Sequence, residues 1–267
     1  MSSDVLMEIV ASTRDTVAAQ RAQRPLEQLA AAADARTDYR PFREALALPG
    51  LSVIAEHKRS SPSAGMIRAD LDLADVVSAY ERGGAAALSV LTEPTRFSGS
   101  LSDLAAARAA TSLPILRKDF IVDEYQVYEA AAAGADAILL IVAAMEVGPL
   151  ANLHALAGRL GLATLVEVHN APELRVAVEI GAQTIGVNNR NLSTLVVDIE
   201  TTYQLLPDIP AGVVKVAESG FRTRAELERL AAAGLDAVLI GEALMRSAEI
   251  EAATRELTGV DARRISA

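Results

Sequence analysis

Residues 131–140 read AAAGADAILL, and residues 231–240 read AAAGLDAVLI. In both, an alanine-rich stretch runs into a glycine, and an apolar run follows within a few residues. A glycine just past the last helical residue takes the left-handed conformation that ends a helix. An apolar run without alternation suits a parallel strand buried on both faces. The pair therefore reads helix, stop, strand. ERGGAAALSV (81–90) and EIGAQTIGV (179–187) follow the same logic. Gly84, Gly134, Gly181 and Gly234 lie roughly 50 residues apart, about two strand–helix units per step.

Working outward from these repeats, eight β-type runs follow Leu51: 52–58, 86–92, 114–119, 136–142, 164–169, 184–189, 213–219 and 236–241. A helical stretch separates each from the next, the mark of βαβ units. Eight such units close into a (β/α)8 TIM barrel, and 267 residues suit one. The structural rival, an open doubly wound sheet, usually brings a GxGxxG turn, and the sequence has none. Residues 51–267 are thus assigned to an α/β barrel and residues 1–50 to a helical extension packed on it, one domain overall. In the extension Leu6, Ile9, Val10, Thr13 and Val17 share one helix face, with Ser2, Ser3 or Asp4 as cap. A second helix is expected over 25–35, and Pro41 and LPG (48–50) punctuate the stretch between it and the first strand.

Composition narrows the class. The net charge of −10 repels nucleic acid and anionic membranes. The absence of cysteine excludes disulfides, thiolate metal sites and cysteine nucleophiles. His57, His154 and His169 are the only histidines, and no two have metal-ligand spacing. The longest apolar run, AILLIVAAM (137–145), is far shorter than the roughly 18 residues of a membrane helix. Asp4, Glu8 and Arg14 argue against a secretory signal, so a cytoplasmic location is expected.

Polar residues gather at the strand C-termini, where barrels carry their chemistry. They are Glu56, Lys58, Lys118, Glu167, Asn188, Glu218 and Ser219. Alternation along a strand puts Ile54, Glu56 and Lys58 on one face, Leu116 with Lys118, and Leu165 with Glu167. One such residue alone is usually just solvated. Five strand ends aiming polar groups at one mouth, four of them titratable, point to an acid–base site instead. Only three of the 25 basic residues are lysine: Lys58, Lys118 and Lys215. An ammonium exchanges its proton far more readily than a guanidinium does. Lys215 has the opposite parity to Glu218 and is expected to face the helices. His57 and His169 are also assigned outward parity, as packing or surface residues rather than bases. ESGF (218–221) and IGEAL (240–244) offer backbone N–H groups where barrels commonly hold phosphate, although glycines also serve tight turns.

These residues sit in stretches that resemble the indole-3-glycerol phosphate synthase family of tryptophan biosynthesis. The stretches are VIAEHKRSSPSAG (53–65), LSVLTEPTRFSGS (88–100), LPILRKDFIVDEYQVYEAAAAGADAILLIV (113–142), LVEVHN (165–170), GVNNRNLSTLVVD (186–198), VAESGF (216–221) and AVLIGEALMR (237–246). His57 stands where many members carry an apolar or aromatic residue. The resemblance implies a decarboxylating lyase. It closes the indole ring of a (carboxyphenylamino)deoxyribulose phosphate, with loss of carbon dioxide and water and without metal or organic cofactor. It implies that Lys118 is the acid at the ketone, and that Glu56, Lys58 and Glu167 remove the hydroxyl and a proton. Asn188 and Glu218 join this catalytic set. Asn188 and Arg190 orient the anthranilate carboxylate, Ser61 binds substrate, and Phe97 and Phe120 sandwich the aromatic ring. Ser219, Gly220, Gly241 and Glu242 grip the phosphate, the last by its backbone. The partner expected is a small phosphorylated substrate, with no obligatory protein partner. Phosphoribosylanthranilate isomerase is a rival reading, but that family uses a Cys base. A non-catalytic phosphosugar-binding barrel, the other rival, has no need of Lys58 and Lys118.

Overall fold

The four glycines of the repeat all adopt positive φ: 90° at Gly84, 95° at Gly134, 79° at Gly181 and 92° at Gly234. Each stops a helix and releases the chain into a strand. The computed structural model describes residues 5–62, 64–68, 70–192 and 194–260. Its main strands are β1 (Ser52–His57), β2 (Ala87–Leu91), β3 (Ile115–Lys118), β4 (Ala137–Ile141), β5 (Ala163–Val168), β6 (Thr184–Asn188), β7 (Val214–Glu218) and β8 (Ala237–Ile240). Each coincides with one expected run to within a residue at either end. Neighbours pair in parallel, and β1 closes on β8 with Ser52 opposite Ala237 and Ala55 opposite Ile240. The sheet is a closed eight-stranded TIM barrel.

Side-chain parity sorts the core into two layers. Ile54, Leu116, Leu139, Leu165, Val216 and Leu239 fill the barrel interior. Val53, Val90, Ile138, Val166, Val187 and Ala217 face outward and pack with the helices. Lys215 has the parity of Ala217 and is half-buried in that outer layer, as its position predicts.

The aspartate inside each repeat pins a strand start. Asp136 donates its backbone N–H to Ile115 O and accepts the Ile115 N–H on Oδ2 at 2.9 Å. Asp236 does the same to Lys215, accepting its N–H at 2.8 Å. Asp136 does more. Its Oδ1 accepts from Arg36 Nη2 at 2.8 Å, from the Arg40 N–H at 2.9 Å and from Arg108 Nη1 at 2.9 Å. Arg36 and Arg40 belong to the segment before the barrel, so this buried carboxylate clamps the extension to the closed end.

Among the described residues the extension holds three helices, α1 (Val5–Gln23), α2 (Leu26–Asp34) and α3 (Phe42–Leu46). Leu6, Ile9, Val10 and Val17 of α1 are buried, as the helix face predicts. The proposed caps Ser2, Ser3 and Asp4 lie outside the described residues. Leu6 and Val10 join the interior cluster with Ala144 and Met145, just past the C-terminal end of β4, so α1 lies along the mouth. The sequence does not announce α3. It starts directly after Pro41, whose missing N–H is no loss at a helix start, and it plugs the other end. Phe42 and Leu46 are almost fully buried beside Val214 and Ala237. A two-residue hairpin, Ser60–Ser61 with Gly65–Met66, follows β1 and was not expected either. Among the described residues no helix is long and apolar enough to cross a membrane.

Candidate active site

The barrel mouth opens as a cavity of about 400 Å³, whose wall includes Glu56, Lys58, Lys118, Glu167, Asn188, Arg190 and Glu218. β1, β3, β5, β6 and β7 each contribute from their C-terminal ends, as alternation predicts. The centre is Lys118. Its Nζ lies 2.7 Å from Glu218 Oε2 and 2.9 Å from Glu167 Oε2. Alongside, Lys58 Nζ meets Glu56 Oε1 at 2.7 Å, and Ser89 Oγ is 3.4 Å from Glu56 Oε2. Two absent side chains make room for these carboxylates. A Cβ on Gly186 would collide with Glu218 Oε1, and one on Gly241 would come within 2.6 Å of Glu56 Oε1.

Burial and charge divide these groups. Burial disfavours the ammonium of Lys118, but Glu167, Glu218 and Glu56 outweigh it and raise its pKa, so it stays charged. Burial also opposes the Glu167 carboxylate, yet Lys118 and His169 hold its pKa below the ordinary value. Glu218 goes the other way. Burial pushes it up, Lys118 only partly offsets this, and nearby Glu167 adds repulsion, leaving it at about 7. Its Oε1 is buried without a hydrogen-bond partner among the described residues.

His169 corrects an expectation. It follows Glu167 by two residues, so it shares the inward face rather than the outward one. Its Nε2 lies 3.3 Å from Glu167 Oε1, and its Nδ1 lies 2.9 Å from Glu173 Oε2. Burial opposes its charge, but these two carboxylates raise it to about 10. Counting by two from Glu167 was the signal that could have found it. His57 does face outward. Burial, and then Arg59, lower it to about 4, so it packs as a neutral ring.

The remaining expected residues divide. Arg190 lines the cavity, while its Nη1 donates to Leu195 O at 3.1 Å and its N–H to Asn188 Oδ1 at 3.0 Å. Phe97 and Phe120 line the same wall, but their rings lie 6.4 Å apart and tilted by 40°. A ring stacked between two others needs a parallel gap of about 7 Å, two contact distances. They form a corner rather than the expected sandwich. Ser61 is buried and off the cavity wall, where its Oγ accepts from the Ala64 N–H at 3.2 Å within the hairpin after β1. Ser219 and Gly220 both take positive φ, 65° and 96°, and a Cβ on Gly220 would come within 2.8 Å of Val197 and Ile199. Gly241 precedes the short helix Glu242–Met245, and all four lie at one edge of the cavity. Arg222, not singled out from the sequence, lies at that edge too. Among the described residues no cluster of three or more His, Asp or Glu is arranged to hold a metal.

Comparison with known proteins points the same way. Residues 6–257 match the family model described as indole-3-glycerol phosphate synthase. A protein of that name from Aromatoleum aromaticum is 48% identical over 261 residues, covering 96% of this chain and 100% of its own length. Another, from Chromobacterium violaceum, is 50% identical over 251 residues, covering 92% of this chain and 95% of its own. Among solved structures, thiamine phosphate pyrophosphorylase from Pyrococcus furiosus superposes with a TM-score of 0.61 at 18% identity, covering 84% of this chain and 97% of that one. The 3-hexulose-6-phosphate synthase from Salmonella typhimurium gives 0.62 at 15% identity, covering 78% and 96%. At these identities the likeness is one of fold.

Proposed function

The chain belongs to the indole-3-glycerol phosphate synthase family, and from that premise we propose how the mouth of its barrel performs the ring closure. The reaction is a step of tryptophan biosynthesis, carried out by a decarboxylating lyase on a small phosphorylated substrate. The aryl carbon bearing the carboxylate attacks the ketone of (carboxyphenylamino)deoxyribulose phosphate. Carbon dioxide leaves, water is lost next, and the ring is an indole.

Lys118 is the general acid. Charge builds on the ketone oxygen as the aryl carbon attacks, and an ammonium beside that oxygen stabilises it and gives up its proton as an alkoxide forms. Lys118 is held charged by its carboxylate neighbours, so its acidity suits an alkoxide rather than water. The bridging contacts of its Nζ to Glu167 and Glu218 carry this reading. Glu56 with Lys58, together with Glu167, completes the set that removes the hydroxyl and the adjacent methylene proton. Asn188 and Arg190 orient the anthranilate carboxylate, a task a guanidinium performs with paired hydrogen bonds. Phe97 and Phe120 offer a corner for the aromatic ring. Ser61 holds the hairpin beside the site.

The phosphate lies between Ser219–Gly220 and Gly241–Glu242. Successive N–H groups of a left-handed turn and of a helix start favour an anion, and Arg222 adds charge at that edge. The extension 1–50 and the barrel 51–267 act as one domain, supported by the Asp136 clamp and the α3 plug. The enzyme works in the cytoplasm without nucleic acid, membrane or obligatory protein partner. Its net charge of −10 supports the absence of nucleic acid and anionic membrane from the site. Mixing enzyme and substrate while following indole fluorescence, with native protein and Lys118→Met side by side, tests the central assignment. Undiminished indole formation by the variant would refute it.

A further inference from the structure

Ring closure sets Lys118 a narrow task. The new C–C bond forms, the carbonyl π electrons move to oxygen, and Lys118 gives that oxygen one proton. Carbon dioxide departs, its bonding electrons restore the aromatic ring, and the amine left behind takes a proton from solvent. Dehydration falls to Glu56 and Lys58 with Glu167. Lys118 must therefore be charged before ring closure and release its proton within it. Its surroundings favour the first and oppose the second. Glu167 and Glu218 lie within 2.9 Å of Nζ, Glu56 acts on it too, and each carboxylate makes the proton harder to give. A cation on the far side of one of these carboxylates relieves the hold.

His169 stands in that place, and Glu173, from the helix Ala171–Glu179, grips it. Glu173 Oε2 accepts the His169 N–H at 2.8 Å and lies 2.9 Å from its Nδ1, while Oε1 accepts from Asn170 Nδ2 at 2.6 Å. Asn170 caps the same helix, its Oδ1 accepting the Glu173 N–H at 3.0 Å. With both oxygens accepting, Glu173 is a carboxylate and Nδ1 carries a hydrogen. Nε2 makes no hydrogen bond among the described residues and lies 3.3 Å from Glu167 Oε1. On a neutral ring a lone pair would stand there, facing a buried anion. A proton on Nε2 turns that repulsion into charge attraction, which needs no hydrogen-bond alignment. Glu167 and Glu173 outweigh burial and raise the ring to about 10. The turn Val142–Ala144, packed on the same helix, and the residues paired with Glu167 across the sheet, Ile141 and Gly186, do not titrate.

We propose that His169, held by Glu173, is a positioning residue that keeps Lys118 acidic enough for ring closure by sharing the charge of Glu167. The imidazolium sits on Oε1 and Lys118 on Oε2, so one carboxylate is divided between two cations. With a neutral ring the whole charge of Glu167 falls on Lys118, which then gives its proton less readily.

This rests on Lys118 being the acid, and the ring can be read apart from the chemistry. The chain has three histidines. Burial lowers His57 to about 4 and lowers His154 as well, so at about pH 8 only His169 should be an imidazolium. Nitrogen NMR of the full-length protein labelled at histidine should show one imidazolium, titrating at about 10 and missing from His169→Gln. No imidazolium at that pH overturns the proposal. Glu173→Gln keeps a residue suited to the helix start but removes the charge facing Nδ1, so its ring should titrate at lower pH than in native protein. Single-turnover release of carbon dioxide from carboxyl-labelled substrate then reads the acid. The ratio of Glu173→Gln to native rates should fall by roughly threefold to tenfold as pH rises through the variant's own ring titration, a part of what a general acid is worth. A merely structural loss lowers that ratio equally at every pH. An unchanged ring titration in Glu173→Gln, or a ratio that stays flat while the ring loses its proton, refutes the role of the pair. Lys118→Met tests the premise by itself: if it releases carbon dioxide at the native rate, the acid assignment falls, whatever the ring does.

Discussion

The two ends of the barrel each bury a carboxylate against cations, and they do so to opposite effect. At the closed end Asp136 accepts hydrogen bonds from Arg36, Arg108 and the N–H groups of Arg40 and Ile115. Both oxygens are satisfied, and the cations are guanidinium groups that keep their protons. At the mouth Glu218 meets Lys118 through Oε2, and its Oε1 has no hydrogen-bond partner among the described residues. A buried carboxylate fully bonded to arginine is a fastener. One half-bonded to lysine is unsettled, and that is what proton transfer requires. The difference lies in the choice of cation and the number of bonds, with burial nearly equal.

The contrast breaks most readily at Lys118. Lys118→Arg keeps the charge and Lys118→Met removes it, and both should cut turnover by roughly a hundredfold to ten-thousandfold, the range for a general acid. Both variants should still fold, with cooperative melts. Lys215→Arg, in the outer layer, should keep near-native turnover. Steady-state kinetics and thermal melts on the three decide it, and full activity in Lys118→Arg would erase the distinction between the ends. At the fastener the outcome reverses. Asp136→Ala leaves Arg36 and Arg108 facing an empty pocket and should cost about 3–5 kcal/mol in denaturant melts, with turnover per folded molecule unchanged. A loss of turnover without a loss of stability would contradict it.

Arg190→Ala should raise KM by roughly tenfold to a hundredfold, the worth of a charged hydrogen bond, with a smaller change in kcat. The opposite split would place Arg190 in the chemical step. Gly186→Ala forces a methyl into the place of Glu218 Oε1. It should cost about 1–3 kcal/mol of stability and lower turnover as the Lys118 contact is disturbed, measured by melts and kinetics together. The smallest effect is a pH trend. His169, raised from 6.5 to about 10, contributes stability that is fully present below its ordinary value and is lost as pH rises through the folded value. The melting-temperature gap between native protein and His169→Gln should be widest near the lower figure and shrink toward the upper one.

Much of this was legible in the residues because both signals are local. A glycine after a helix and an apolar run after the glycine mark four of the eight strands, and apolar runs of similar length between helical stretches mark the other four. Alternation then puts Glu56, Lys58, Lys118 and Glu167 at one mouth. Features set by distant partners were not legible. The five residues of α3 are too few for a periodic signal, and only the open end of the barrel gives Phe42 and Leu46 a place. Asp136 and Asp236 look alike in the repeat, yet among the described residues only Asp136 meets two arginines, because the extension returns past it. Ser61 sits in a motif of polar residues, and only the hairpin shows that its hydroxyl accepts the Ala64 N–H. For His169 the residues carry the information, since it stands two places after Glu167 and so shares its face.

The seam between β1 and β8 has a consequence for how the chain is made. A ribosome releases residues 1–50 first, yet the partners of that segment, Asp136, Val214 and Ala237, emerge much later. Strand β1 also waits for Ser52 to meet Ala237. Until then the nascent chain carries two unpaired strand edges and an unplugged core, both prone to stick to other chains. Barrel closure is therefore an event of late synthesis, and a chain halted before β8 is a client for chaperones rather than a smaller working enzyme.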